Sequence, residues 1–412
     1  MTYAYDENDN RIEECYYNPQ GELFICNGGY ARQTFTYDAS GNLTERRAYN
    51  EKGEVCDYGR MYAIQKNTYD ARGNLVRIDY YETDGVTGKN EVGASAVERT
   101  FDENGNVIRE AFLAADGGLY MTTYGFAART AQYDVNGCLT GETYLDGDGN
   151  PVRILAGYAS ASYVCDWRGL PVEIRYYDQF GRPVRNEAGY EVLEQDYDAN
   201  GAVIYQAYFL SDGTPVKCSE GYEAKEIEVD VHGRAVMERY LDANGTQTQA
   251  YSGATQARMT YDSDDTSVPA TKTYEDGSGQ PIVTSEGYTC IAYVYDGLDR
   301  VMEEYYQDAD GNPVTTVKGY QAKRYTRDLM DRVISEACYM ADLQTKVDST
   351  DGYCEIAYAY DKNSNVVKIT YYGANGWGAA DKDGVNRIER EYDERGNLLW
   401  EKKYDLGMKL IE

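Results

Sequence analysis

An aspartate returns every 32 residues along this chain, at Asp6, Asp38, Asp70, Asp102, Asp134, Asp166, Asp198, Asp230 and Asp262. Four more follow at Asp296, Asp328, Asp361 and Asp393, with steps of 34, 32, 33 and 32. A single globular core stops growing near about 250 to 300 residues, and this chain has 412. Stacked repeats escape that limit, because each unit needs only its neighbours. The register predicts one array over residues 1–412, about thirteen copies of a 32-residue unit. The fold class it implies is all-β: tandem β-hairpin repeats stacked into an elongated β-solenoid or spiral sheet. Irregular copies fall near 262–296 and 328–361, with surface insertions or bends expected around Ser263 to Pro269 and Leu343 to Thr350. No dissimilar segment caps either end, so a piece of a longer protein is expected.

The other columns fill in the unit. Three residues after the aspartate stands a glycine: Gly41, Gly73, Gly105, Gly137, Gly169, Gly201, Gly233 and Gly396. Asp caps a bend and Gly supplies a positive φ, so D-x-x-G reads as a hairpin connection. A second glycine column runs through Gly21, Gly53, Gly85, Gly117, Gly149, Gly181, Gly213 and Gly245, which predicts two turns per copy. Between them lies an alternating strand, as in Val172, Ile174 and Tyr176. Its middle position is glutamate in most copies: Glu14, Glu110, Glu142, Glu238, Glu304, Glu336 and Glu401. A second strand leads into the aspartate, as in Ile291, Tyr293 and Tyr295. Pro151, Pro183, Pro215, Pro281 and Pro313 share one column and mark an edge strand or extended connector, since proline cannot donate to a ladder. A Gly-Tyr pair follows, as in Gly157-Tyr158 and Gly319-Tyr320, where glycine lets the chain swing back.

The pattern Y-D-x-x-G-N, as in Tyr69-Asp70-Ala71-Arg72-Gly73-Asn74 and Tyr392-Asp393-Glu394-Arg395-Gly396-Asn397, resembles the YD repeats of the RHS/YD-repeat family. The unit here is longer, adding the D-G-x-P-V and Gly-Tyr segments. The resemblance implies a β-hairpin spiral of a bacterial cell-surface or secreted protein, in some members a shell around a toxic C-terminal domain. A second likeness is to the aromatic, glycine-rich glucan-binding and choline-binding repeats of bacterial surface enzymes. Those lean on Trp, whereas this chain has 3 Trp and 44 Tyr.

Charge and residue types narrow the function. A net charge of -30 argues against a nucleic-acid partner, which normally meets a basic stripe. No apolar run is long enough for a membrane span or a signal peptide. His232 is the single histidine, so histidine-based catalytic and metal constellations cannot be assembled, and no enzyme activity is expected. No cofactor and no metal is expected either. Asp146-Gly147-Asp148-Gly149-Asn150 and Asp308-Ala309-Asp310-Gly311-Asn312 look like calcium-loop fragments, but they lack the closing glutamate and read as turns. The nine cysteines match no zinc spacing and read as buried thiols filling core positions, Cys165 and Cys338 standing where other copies have Tyr.

Two columns have alternative readings. The glutamates would form an ion-binding ladder, or partners for Arg and Tyr hydroxyls of the next copy, or a partly solvated face with Arg and Lys pairs, which is the reading adopted. Tyr158, Tyr190, Tyr222, Tyr288 and Tyr320 fill a thin sheet core or form platforms for a carbohydrate ligand. The function expected is a non-catalytic scaffold of a surface or secreted protein that binds a protein or carbohydrate partner or displays something. A carbohydrate-binding module and a shell segment of a polymorphic toxin are the alternatives.

Overall fold

The computed structural model describes residues 1–26, 28–57, 62–328, 332–361, 365–393 and 398–411. Among them are 26 strands, numbered β1 (Thr2–Tyr5) to β26 (Leu398–Tyr404) in chain order, and no helix. Among the described residues no helix is therefore long and apolar enough to cross a membrane. Each strand pairs antiparallel with the one before it and the one after it, so thirteen hairpins build one continuous sheet.

The sixth copy shows the plan. In its hairpin β11 (Ser160–Cys165) faces β12 (Pro171–Tyr177) in register from Ser160↔Tyr177 to Val164↔Glu173, with a bulge before Cys165↔Pro171. Toward the next copy β12 meets β13 (Val192–Tyr197) over only Glu173↔Glu194, Ile174↔Leu193 and Arg175↔Val192. The seam between copies is shorter than the hairpin itself and needs support elsewhere.

That support comes from a third turn, which corrects the expectation of two per copy. After β12 the chain reverses at Gly181 and makes a single bridge, Tyr177↔Pro183, so the proline column is an extended connector lying back along its own strand. It then reverses again at the Gly-Tyr pair, where Gly189 N–H donates to the Asn186 carbonyl at 2.9 Å with φ +92. These third turns stack. Glu187 N–H donates to Ala156 O at 2.9 Å, Ser219 to Ala188 at 2.8 Å, Tyr251 to Glu220 at 2.7 Å and Val317 to Glu286 at 2.8 Å. The glycine is required for closeness as well as for φ: a Cβ at Gly221 would lie 2.6 Å from the Tyr251 ring. The apolar core lies between this stacked layer of turns and one face of the sheet.

The sheet also returns upon itself. Tyr120, beside the second turn of the fourth copy, is fully buried, and its hydroxyl lies beside Asn365 and Asp361 in the aspartate turn of the twelfth. The second turn of the fourth copy thus approaches the aspartate turn of the twelfth, while every described strand keeps only its sequence neighbours as ladder partners. Both irregular spacings sit in turns, the first between β17 (Gln256–Thr260) and β18 (Thr271–Glu275) and the second at Met340 to Thr345. Where a glycine column is broken the conformation survives: Asp9, Asp299 and Leu343 hold positive φ at 64, 59 and 53. Gly396 and its turn lie outside the described residues.

Candidate functional site

The tyrosine, aspartate and asparagine side chains of the Y-D-x-x-G-N motif have structural partners. Asp38 Oδ1 accepts from the backbone N–H of Ser40 at 2.8 Å and of Asn42 at 2.9 Å, and its Oδ2 accepts from Asn42 Nδ2 at 3.0 Å. Where arginine replaces the asparagine, as at Arg300, its Nε takes the same place on Asp296 at 2.7 Å. That contact holds the Asp296 carboxyl down at about 2. The tyrosine before the aspartate reaches the preceding copy: Tyr37, Tyr69, Tyr197 and Tyr261 donate to the carbonyls of Arg11, Leu43, Pro171 and Ala235, each at 2.9 Å.

The Gly-Tyr tyrosines alternate with the strand tyrosines in a zigzag of rings. From Phe112 through Phe126, Tyr144, Tyr158, Tyr176, Tyr190, Tyr208 and Tyr222 to Tyr240 the centroids are 4.4 to 6.0 Å apart. Tyr274, Tyr288, Tyr306 and Tyr320 form a second run at 5.0 to 5.9 Å. The five candidate ligand tyrosines all stand in these runs, Tyr222 and Tyr320 buried and Tyr158, Tyr190 and Tyr288 half-buried. Burial raises the phenol pKa of all five. Such spacings are those of edge-on and offset ring pairs, which add to area burial.

The glutamate column lies on this core face and is partly solvated in most copies, as expected, with Arg99 on Glu110 and Arg390 on Glu401, each at 2.8 Å; Glu14 and Glu142 depart from it. Glu14 and Glu142 are buried at 5% and 8% exposure. Glu142 accepts from the Tyr144 hydroxyl at 3.0 Å, the Tyr163 hydroxyl of the next copy at 2.5 Å and Arg129 Nε at 2.6 Å. Glu14 is held by the Tyr16 hydroxyl at 2.6 Å, the Tyr30 hydroxyl at 3.2 Å and Arg11 at 2.8 Å. Burial pushes the Glu238 carboxyl up, but Lys272 and Lys225 outweigh it and leave the pKa below the usual range. A buried carboxylate is tolerated only with such donors. The period-2 strand pattern shows which face a glutamate is on. It does not show that tyrosine hydroxyls two residues away, or in the next copy, will reach it.

The cysteine expectation is corrected in part. Cys15, Cys218, Cys290, Cys338 and Cys354 are buried thiols, Cys26 and Cys56 are only half-buried, and Cys138 and Cys165 form a disulfide. Cys165 occupies the tyrosine slot before Asp166, and Cys138 stands in the asparagine slot of the preceding copy, so the bond replaces a tyrosine staple across the same seam. Two cysteines in slots that face each other across the seam were the available signal. Three residues of the aspartate turns on that edge expose apolar side chains: Val135, Trp167 and Val231 are 92 to 94% exposed. In the acidic turns Asp146 Oδ1 accepts from Asp148 and Asn150 N–H, and Asp308 Oδ1 from Asp310 and Asn312 N–H. His232 Nε2 lies 3.7 Å from Asp264 in an exposed turn.

No family model and no curated protein matches the chain. Among solved structures it is similar to the crystal structure of TcdB2-TccC3-Cdc42, at 13% identity and TM-score 0.34 over 97% of this chain and 21% of that one. It is also similar to the Photorhabdus luminescens Tc holotoxin pore, at 13% identity and TM-score 0.35 over 99% and 23%. The chain thus spans under a quarter of the length of either. Likeness at this level identifies neither a family nor a function.

Proposed function

We propose that residues 1–412 form one non-catalytic repeat scaffold of the RHS/YD type, part of a bacterial surface or secreted protein, which binds a partner or displays another segment. The observation that carries this reading is that the chemistry-bearing columns hold copies together. The aspartates close turns, the tyrosines before them staple the preceding copy, and the glutamates take tyrosine hydroxyls and cations. A disulfide across a copy boundary supports an oxidising, extracellular compartment. The exposed Val135, Trp167 and Val231 supply apolar surface for a partner. In the carbohydrate reading Tyr158, Tyr190, Tyr222, Tyr288 and Tyr320 would offer ring faces to sugar; their place inside the ring runs supports the scaffold reading instead.

The contact of Tyr120 with the twelfth copy favours a second reading, a shell segment, because a sheet that spirals through eight copies encloses an axis. A glycan array and a hydrolase substrate panel test the scaffold. No polymer-selective glycan and no turnover is expected. Hits lost in folded Tyr-to-Ala variants of the five tyrosines would replace it with the carbohydrate reading. Small-angle scattering tests the shell, for which a hollow-particle profile is expected; an open ribbon would rule it out.

A further inference from the structure

The aromatic zigzag is interrupted, with rings before and after, at four places, where Ala48, Ala94, Ala254 and Cys338 replace a ring. Ala94 packs in one core cluster with Tyr120, Val92 and Phe112. At Ala48 the side chain of Arg46 lies beside Tyr30 and Tyr62. Ala254 is fully buried in one core cluster with Met259, Ala250 and Ile282. At Cys338 the space stays open, as a cavity of about 150 Å³ between Tyr320 and Tyr353. A cavity of that size holds a benzene ring. In the intact copy before it, Tyr306 sits between Tyr288 and Tyr320 at centroid distances of 5.0 and 5.6 Å. The gap therefore stands where the intact copy has a ring, with Tyr320 and Tyr353 in its wall.

Its polar groups define the ligand further. Lys323 is paired across the ladder with Cys338, and its ammonium lies 5.7 Å from the Tyr320 centroid. Carboxylates near the gap are engaged: Asp351 with Lys318 at 3.0 Å and Glu336 with the Tyr358 hydroxyl at 2.7 Å. Among the described residues Lys323 has no ion pair. We propose that the gap is a binding site for a small planar aromatic carboxylate, whose ring takes the place of the missing side chain and whose carboxylate meets Lys323. Ring-on-ring contact selects a flat apolar body and the ammonium selects an anion.

The probe is 4-hydroxyphenylacetate, followed by ligand-observed NMR and calorimetry on the full chain. Saturable binding is expected with a Kd on the order of 1 mM, in line with a ligand of so few atoms. Cyclohexylacetate, which is not flat, should bind about tenfold more weakly. C338F fills the gap and should abolish binding, whereas C338A, which only widens it, should retain it. K323Q should weaken the acid about fivefold and leave neutral p-cresol unchanged. If C338F does not fold, C338L asks the same question with a smaller side chain. Absence of saturable binding to the wild-type chain would overturn the proposal, and so would equal binding to a folded C338F or C338L variant.

Discussion

The hydroxyl of Tyr261 donates to the carbonyl of Ala235 at 2.9 Å, across the boundary between the eighth copy and the ninth. The same bond recurs at other boundaries, so the tyrosine of the Y-D pair serves the seam and the aspartate serves the turn. Tyr261→Phe keeps the ring and removes the bond, at a cost of about 1 kcal/mol. Amide exchange of strands β16 (Ala235–Leu241) and β17 should speed up in that variant while distant copies keep their protection. Uniform acceleration along the chain would show that the seam does not act locally.

Removing Glu142 should be more damaging. Glu142→Ala leaves Arg129 and the hydroxyls of Tyr144 and Tyr163 without their acceptor in a buried place. A loss of about 3 to 5 kcal/mol is expected by chemical denaturation. Glu142→Gln, which keeps an acceptor oxygen, should lose less.

The disulfide is testable by peptide mapping without reductant, which should recover Cys138 joined to Cys165. Closing a 27-residue separation stabilises by about 3 to 4 kcal/mol in the chain-entropy account. A double variant, Cys138→Asn with Cys165→Tyr, restores the residues usual in those slots. Its melting should no longer respond to reductant, whereas the parent chain should melt lower when reduced.

Stability should fail at both extremes of pH. Burial, the largest cause, pushes the phenols of Tyr80 and Tyr274 up to about 12 from 10.0. The folded chain holds these protons more tightly than the unfolded one. Their contribution is complete below pH 10 and is lost as pH climbs toward 12. Asp296 is the reverse case: with its pKa at about 2 against 3.8, its contribution is present above pH 4 and fades as pH falls toward 2. Absorbance of ionised phenol, followed with circular dichroism, should rise together with unfolding above pH 10. Early ionisation of the core tyrosines in a folded chain would contradict the ring packing described.

Two glycine replacements separate strain from crowding. At Gly213, φ is +84 and nothing lies within 4 Å of the place a Cβ would take, so Gly213→Ala should cost only the left-handed conformation, about 1 to 2 kcal/mol. At Gly221, φ is +100 and the Cβ would meet Tyr251 at 2.6 Å, so Gly221→Ala should cost clearly more. Equal melting temperatures would mean that the third turns do not stack closely.

The 32-residue period was enough to read the antiparallel hairpins and the first two turns of each copy, because each strand pairs only with its neighbours and each of those turns carries its own aspartate or glycine. The third turn was legible only as a glycine before tyrosine, since its partner is another copy's backbone, which leaves no side-chain mark at Ala156 or Glu187. The partners of Glu142 were hidden for a related reason: Tyr163 and Arg129 approach it from two different strands. The approach of Asp361 and Asn365 to Tyr120 spans eight copies, and no single column encodes it.

That contact changes what length means for this fold. Along the sheet each copy has one neighbour on either side, but the fourth and the twelfth also meet through Tyr120. Removing one whole 32-residue unit between them would bring the equivalent turn of the following copy opposite Tyr120. Removing half a unit would bring a different part of the repeat there, although every remaining hairpin stays intact.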